Sequence, residues 1–152
     1  MRKTSIAVIL TSMLCLAASP VLAEGAGKEW DKLNQEVEKL YLAGQYDRAV
    51  KLAQAALEVA EQNVGPVHPD VDTSLNNLAM LYNDQGDYAK AEPLYKRSLA
   101  IYEKALGPNH PDVARSLNNL AELYRVQAGY AQAEPLFKRS LAIWDKPLGP
   151  DQ

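Results

Sequence analysis

His68 and His110 are the only histidines of this 152-residue chain, Cys15 is its only cysteine, and Ser74 and Ser116 stand at matched positions. Any metal centre or nucleophilic site would have to start from these residues. A zinc site needs three or four converging ligands, and one histidine in each 42-residue stretch does not supply them. A serine nucleophile needs a base held beside it. Here the two histidines sit in proline-containing linkers, His68-Pro69-Asp70 and His110-Pro111-Asp112, whose geometry points along the chain. No Gly-rich phosphate loop and no His-x-x-x-His pair is present. The expectation is a protein with no catalytic residues, no metal and no cofactor.

Asparagine offers a different chemistry. Asn76-Asn77 and Asn118-Asn119 form two tandem pairs in stretches that otherwise read as helix. An amide competes with the backbone and is a poor choice for a helix interior, so its repeated use at one register suggests a role that outweighs the propensity cost. A side-chain amide donates and accepts at once, which suits it to holding the backbone of an extended peptide. It suits equally a bond across to a neighbouring helix that fixes how the two stack. Both readings stay open at this stage.

The elements that must position these amides come from a repeat. Shifting the sequence by 42 residues lays Gly107-Pro108-Asn109-His110-Pro111-Asp112-Val113 over Gly65-Pro66-Val67-His68-Pro69-Asp70-Val71. It also lays Ser116 to Ala121 over Ser74 to Ala79, and Ala133 to Ile143 over Ala91 to Ile101 with Phe137 for Tyr95. A fainter copy puts Gly44, Tyr46, Ala49, Leu52 and Leu57 at the same spacing before Gly86, Tyr88, Ala91, Leu94 and Leu99. A period of this length marks a solenoid of supersecondary units. Leu75, Leu78 and Tyr82 recur at i, i+3, i+7, and Ala91, Tyr95, Ser98 and Tyr102 at i, i+4, i+7, i+11, so each unit reads as two amphipathic helices.

In the second unit, helix A is predicted over about 69–85 and helix B over about 88–106, with Gly86-Asp87 as the turn and Gly107-Pro108 as the stop. Ala79 and Ala91 let the two helices approach closely, and Tyr88 and Tyr95 fill the wider gaps. Proline at the first helical position and aspartate in the first turn favour helix starts at Pro69 and Pro111. Pro93 and Pro135 fall about a turn inside helix B, where each removes a bond to the carbonyl of Ala89 or Ala131 and predicts a slight kink or a loosened turn. Glu92 with Lys96 and Glu134 with Lys138 form i, i+4 pairs on a solvated face. In the third unit the glycine of the turn stands one residue later, at Gly129, so a different turn is expected there.

Gly86, Tyr88, Ala91 and Tyr95 behind Leu75, Leu78, Ala79 and Tyr82 resemble a tetratricopeptide repeat. The 42-residue period and the Gly-Pro-x-His-Pro-Asp-Val linker resemble its kinesin-light-chain-like branch. The likeness spans about residues 28 to 148 and is weakest in the first unit, where Ala53 replaces Tyr95 and no His-Pro-Asp precedes the helix. It implies an all-α fold, an α-α superhelix of three hairpins (about 28–64, 69–106 and 111–147) whose A helices line a concave groove that binds peptide segments without catalysis. The first hairpin, starting near Lys28 and Trp30, is expected to act as a cap.

If Leu75, Leu78 and Tyr82 face the partner helix, then Thr73, Asn76, Asn77, Met80 and Asn83 turn toward that groove. Arg115, Asn118, Asn119, Glu122 and Arg125 occupy the same register in the third unit, and Asp31, Asn34, Gln35, Glu38 and Tyr41 in the first. In the family, helix A asparagines hold bound peptide backbone, and the resemblance carries that role to Asn77 and Asn119. Arg115 and Arg125 suggest an acidic ligand or a terminal carboxylate at one end, and Asp31 and Glu38 make the other end acidic. The expected partner is a protein or peptide. A structural solenoid is the alternative reading, self-associating into a homo-oligomer through the C-terminal helix at Leu136, Phe137, Leu141 and Trp144. In that helix Pro147 stands in place of Ala105 and predicts an early end. The last four residues, 149–152, repeat only the start of a linker.

Arg2 and Lys3 before an apolar run from Ile6 to Leu16, then Val21-Leu22-Ala23, read as a cleavable signal peptide over residues 1–23. Thr11, Ser12, Ser19 and Pro20 interrupt a run already too short to span a bilayer, and Leu14 before Cys15 argues against lipidation. The solenoid is then expected over 24–148, periplasmic or secreted, with no membrane span. Losing the leader removes the only cysteine and moves the net charge from −3 to −5, with signs interspersed and no basic stripe for nucleic acid. The protein recovered from an envelope fraction should begin at Glu24 by intact-mass spectrometry. A chain retaining Met1 would refute the cleavage.

Overall fold

A computed structural model describes residues 20–145, with side chains from residue 27 onward. Residues 1–19 of the expected leader (1–23), Pro147 and the linker start at 149–152 lie outside the described residues, whereas residues 20–23 begin α1. Six α-helices and no strand occur among the described residues: α1 (Pro20–Leu42), α2 (Tyr46–Val64), α3 (Pro69–Asp84), α4 (Tyr88–Leu106), α5 (Pro111–Val126) and α6 (Tyr130–Trp144). Each packs chiefly on its neighbours in sequence, so the chain is an all-α solenoid of three stacked hairpins. Contacts that are local in sequence build such a fold one unit at a time.

The small residues of the hairpins lie in their shared core. Ala49, Ala91 and Ala133, one per hairpin, are buried, as are their partners Val37, Ala79 and Ala121 on the A helices. Tyr95 is buried beside them, and Tyr88 and Phe137 pack half-buried against the same core, which runs through all three hairpins. Two further clusters join successive hairpins. Val71 and Leu75 of α3 meet Ala60 and Ile101, and Val113, Ala114 and Leu117 of α5 meet Tyr102 and Ile143. Burying each large aliphatic side chain contributes roughly 1.5–3 kcal/mol. Ion pairs repeat with the same period on the B helices, where Arg97 meets Glu61 at 2.5 Å and Arg139 meets Glu103 at 2.6 Å.

The helix starts show why each linker carries its histidine. His68 Nδ1 accepts the backbone N–H of Asp70 at 3.2 Å, and His110 Nδ1 accepts that of Asp112 at the same distance. Each ring therefore caps its helix, with proline at the first helical position. No group of three or more candidate metal ligands occurs among the described residues. The first hairpin has no such stop, and α1 begins at Pro20 rather than near Lys28. Pro93 and Pro135 do not break their helices. Each lies on an exposed face of a continuous helix, and Ala89 and Ala131, which lose their partners, are exposed to water.

The third turn keeps the geometry of the other two despite its shifted glycine. Asp87 N–H donates to the Tyr82 carbonyl at 2.8 Å, Gly129 N–H to Tyr124 at 2.8 Å and Gln45 N–H to Leu40 at 2.9 Å. These bonds close a Schellman-type C-terminus whose preceding residue is left-handed. Gly44 (φ 69°) and Gly86 (φ 77°) fill that place, but in the third unit Ala128 does so at φ 59°. An alanine there costs about 1 kcal/mol relative to glycine. Gly129, at φ −80°, does not need to be glycine for its backbone angle. Ala128→Gly should raise stability by about 1 kcal/mol and Gly86→Ala should lower it by a similar amount in urea unfolding. Equal midpoints for both variants and the parent would contradict this reading of the turn.

Candidate functional site

The A helices α1, α3 and α5 stand side by side and present one face to a concave wall. Two adjoining hollows lie on it. One, of about 540 Å³, is bounded by Thr73, Asn76, Asn77, Met80 and Asn83 of α3 and by Arg115, Asn118, Asn119 and Glu122 of α5. The other, of about 500 Å³, is bounded by Asp31, Asn34, Gln35, Glu38 and Tyr41 of α1 with Asn77 and Met80. The helical register thus brings together every position singled out in the sequence except Arg125, which does not border either hollow but pairs with Glu122 on its rim. Asp72, Tyr95 and Leu123 also border the first hollow and were not anticipated. Tyr95, a gap-filler by its register on α4, reaches the floor of the wall as well.

The asparagines form a ladder between hairpins. Asn119 Nδ2 donates to Asn76 Oδ1 at 3.2 Å, and Asn77 Nδ2 donates to Asn34 Oδ1 at 3.1 Å, both across to the preceding A helix. Asn34 Nδ2 closes the chain on the Trp30 carbonyl at 2.9 Å, and Trp30 Nε1 donates to Ser74 Oγ at 2.8 Å. The stacking role is therefore present in the structure. Capacity remains on the concave side, since an amide has two donors and an acceptor and Asn77 and Asn119 each spend one donor. Asn118 is exposed and has no hydrogen-bond partner among the described residues. Asn83 Oδ1 is buried without a partner, the single such side-chain atom among the described residues.

Beneath the ladder lies a buried polar knot. Asp72 is 0 % exposed. Its Oδ2 accepts Asn76 Nδ2 at 2.9 Å, and its other oxygen accepts Ser98 Oγ. Asn76 Nδ2 also donates to Ser98 Oγ at 2.8 Å. The Tyr102 hydroxyl is a third donor, and Arg115 adds its charge. Burial nevertheless outweighs these partners and holds the Asp72 carboxyl above the usual aspartate range. Burial first, then the bond to Asp72, pushes Tyr102 up to about 12. Burial likewise holds Tyr95 at about 12. The sequence carried one sign of this knot: position 72 is aspartate, whereas its counterparts 42 residues away are Trp30 and Ala114.

The two arginines do not make the α5 end positive. Arg125 grips Glu122 through Nε at 2.7 Å and through a second nitrogen. Arg115 pairs with Asp112 at 3.0 Å and donates to the Tyr102 hydroxyl at 3.2 Å. The pairing holds Glu122 below the usual carboxylate range. The expected tilt toward an acidic ligand is thereby cancelled, because each guanidinium already faces a carboxylate of its own helix. At the other end neither Asp31 nor Glu38 has an ion-pair partner among the described residues.

A three-hairpin solenoid with a concave amide-lined wall defines a repeat protein of the helical-hairpin class. The sequence profile of the tetratricopeptide repeat matches residues 39–104 and again 70–146, and the chain belongs to that family. Among solved structures it is similar to BtubC (BKLC) from P. vanneervenii, at 26% identity and a TM-score of 0.73, over 81% of this chain and 48% of that one. It is also similar to a kinesin-light-chain-type protein of Podosopora anserina with nearly identical TPR-like repeats, at 24% identity and a TM-score of 0.71, over 82% of this chain and 59% of that one. The chain thus spans about half to three-fifths of the length of these relatives. No curated protein sequence matches it. Family and fold together support a role in protein–protein interaction or scaffolding, the general and non-catalytic use of this repeat.

Because burial raises Asp72, its contribution to stability is full below the unfolded pKa and is lost as pH rises through the folded one. Asp72→Asn keeps an acceptor for Asn76 and removes the titration. The melting temperature of the variant relative to the parent should therefore increase from pH 4 to pH 7. A difference that stays constant over that window would show that Asp72 titrates normally.

Proposed function

We propose that this protein is a non-catalytic adaptor that holds an extended peptide segment of a partner protein along its concave wall, in the periplasm or outside the cell. The observation that carries the reading is the paired amide register. Asn77 and Asn119 are held by their ladder bonds at fixed spacing with donor and acceptor capacity left over, and Asn118 stands free beside them. Prepositioned amides of this kind cost a ligand little reorganisation when they take up backbone N–H and C=O groups. Export follows from the amino-terminal pattern Arg2-Lys3, Ile6 to Leu16 and Ala23. No helix of the described residues is long and apolar enough to cross a membrane.

A second reading has its own support at the other end of the solenoid. Leu141 and Trp144 of α6 are 60% and 58% exposed, whereas Leu99 and Tyr102, their counterparts on α4, pack under α5. Leu136 and Phe137 are already half-covered by the shared core. In this reading a second copy or a partner covers α6 and the concave wall stays empty.

The two separate in one experiment. The tagged mature chain should retain a partner from an envelope fraction, and Asn118→Ala should weaken that capture several-fold at unchanged melting temperature, because Asn118 is exposed and makes no hydrogen bond among the described residues. Asn77→Ala and Asn119→Ala should weaken it further and also cost about 1 kcal/mol of stability each, from the broken ladder. Capture that survives all three changes but is lost with Trp144→Ala would favour the end-on reading and sink the groove.

A further inference from the structure

The concave wall is chemically unequal along its length, and the inequality identifies what it selects. Positions 31, 73 and 115 occupy one register and read Asp, Thr, Arg, and positions 41, 83 and 125 read Tyr, Asn, Arg. On α5 the arginines at these places neutralise Asp112 and Glu122. The first hairpin has an acid and a phenol there instead. Glu38, the counterpart of Glu122, therefore lacks the arginine one turn later that its equivalent has, and the Tyr41 hydroxyl is committed to Asp84 at 2.8 Å. Asp31 and Glu38 both border the 500 Å³ hollow, which no lysine or arginine lines.

The same hollow has an apolar floor. Met80 is 39% exposed and Leu42 76% exposed, over Val37 and Leu81. Methionine adapts its shape to varied apolar side chains. Resting on the reading of this wall as a peptide groove, we infer that the bound segment is cationic where it crosses the first hairpin, with Lys or Arg beside an apolar side chain. The apolar group fills the hollow over Met80, and the cation meets Asp31 and Glu38. The α5 half, where every charge is already matched, reads the backbone through Asn118 and Asn119 and sets no sign.

A random 12-residue peptide library displayed on phage, panned on the immobilised mature protein, tests this. Selected peptides should be enriched in Lys or Arg within a few residues of a Leu, Met or aromatic side chain. A synthetic copy of the leading peptide should bind about tenfold more weakly to the Asp31→Asn/Glu38→Gln variant, the scale of two exposed charge pairs, and more weakly in 0.5 M salt. Both substitutions are on exposed side chains outside the core, so equal melting temperatures should accompany the loss. Enrichment of Asp or Glu, or of uncharged peptides whose binding depends on Asn118 but not on Asp31 and Glu38, would overturn the cationic assignment while leaving the groove in place. Failure to enrich any sequence over a bare support would count against both.

Discussion

Close approach of the two helices within each hairpin is the constraint on which everything else rests. Three alanines, Ala49, Ala91 and Ala133, are buried on the B helices in the same core as Val37, Ala79 and Ala121 of the A helices. A larger side chain at these places would separate the helices and force strain or movement into the neighbouring layers. Only with this spacing do the tyrosines and leucines around it interdigitate, and only then does each hairpin leave a flat apolar flank for the next. Because the same spacing recurs every 42 residues, the A helices arrive side by side and their outer faces merge into one wall.

The polar groups are arranged around that packing and contribute less to holding it than to fixing its alignment. Asn119 to Asn76 and Asn77 to Asn34 tie consecutive A helices at one level, and Arg97 to Glu61 and Arg139 to Glu103 do so on the B helices. Each bond is worth on the order of 1 kcal/mol or less. Their value lies in register, since an amide left unpaired by a slip of the stack would carry the cost of desolvation. The buried Asp72 is the exception to periodicity. It gives the junction of the second and third hairpins a polar centre that has no copy between the first and second, where Trp30 stands in its place.

On the concave wall, amides, a methionine and paired charges offer hydrogen bonds, adaptable contact and local potential. The histidines, which could have offered proton transfer, are spent as helix caps on the linkers.

Much of this was legible in the residues alone. The period, the two helices per unit, the proline starts and the inward stripe are all local or repeating features, and a helix fixes which side chains share a face whatever surrounds it. That is why the concave positions could be placed by register. Tertiary structure decided what depends on neighbours far apart in sequence. Whether Asn77 meets Asn34 depends on how two hairpins stack. The Arg125–Glu122 pair is local, three residues apart on α5, whereas the buried state of Asp72 depends on α4 and α5 closing over it. The turn at Ala128 shows the same division from the other side. Its sequence suggested a new geometry, but the packing of α5 on α6 imposed the old one, because the energy of burying two helix faces exceeds the small cost of an alanine in a left-handed backbone.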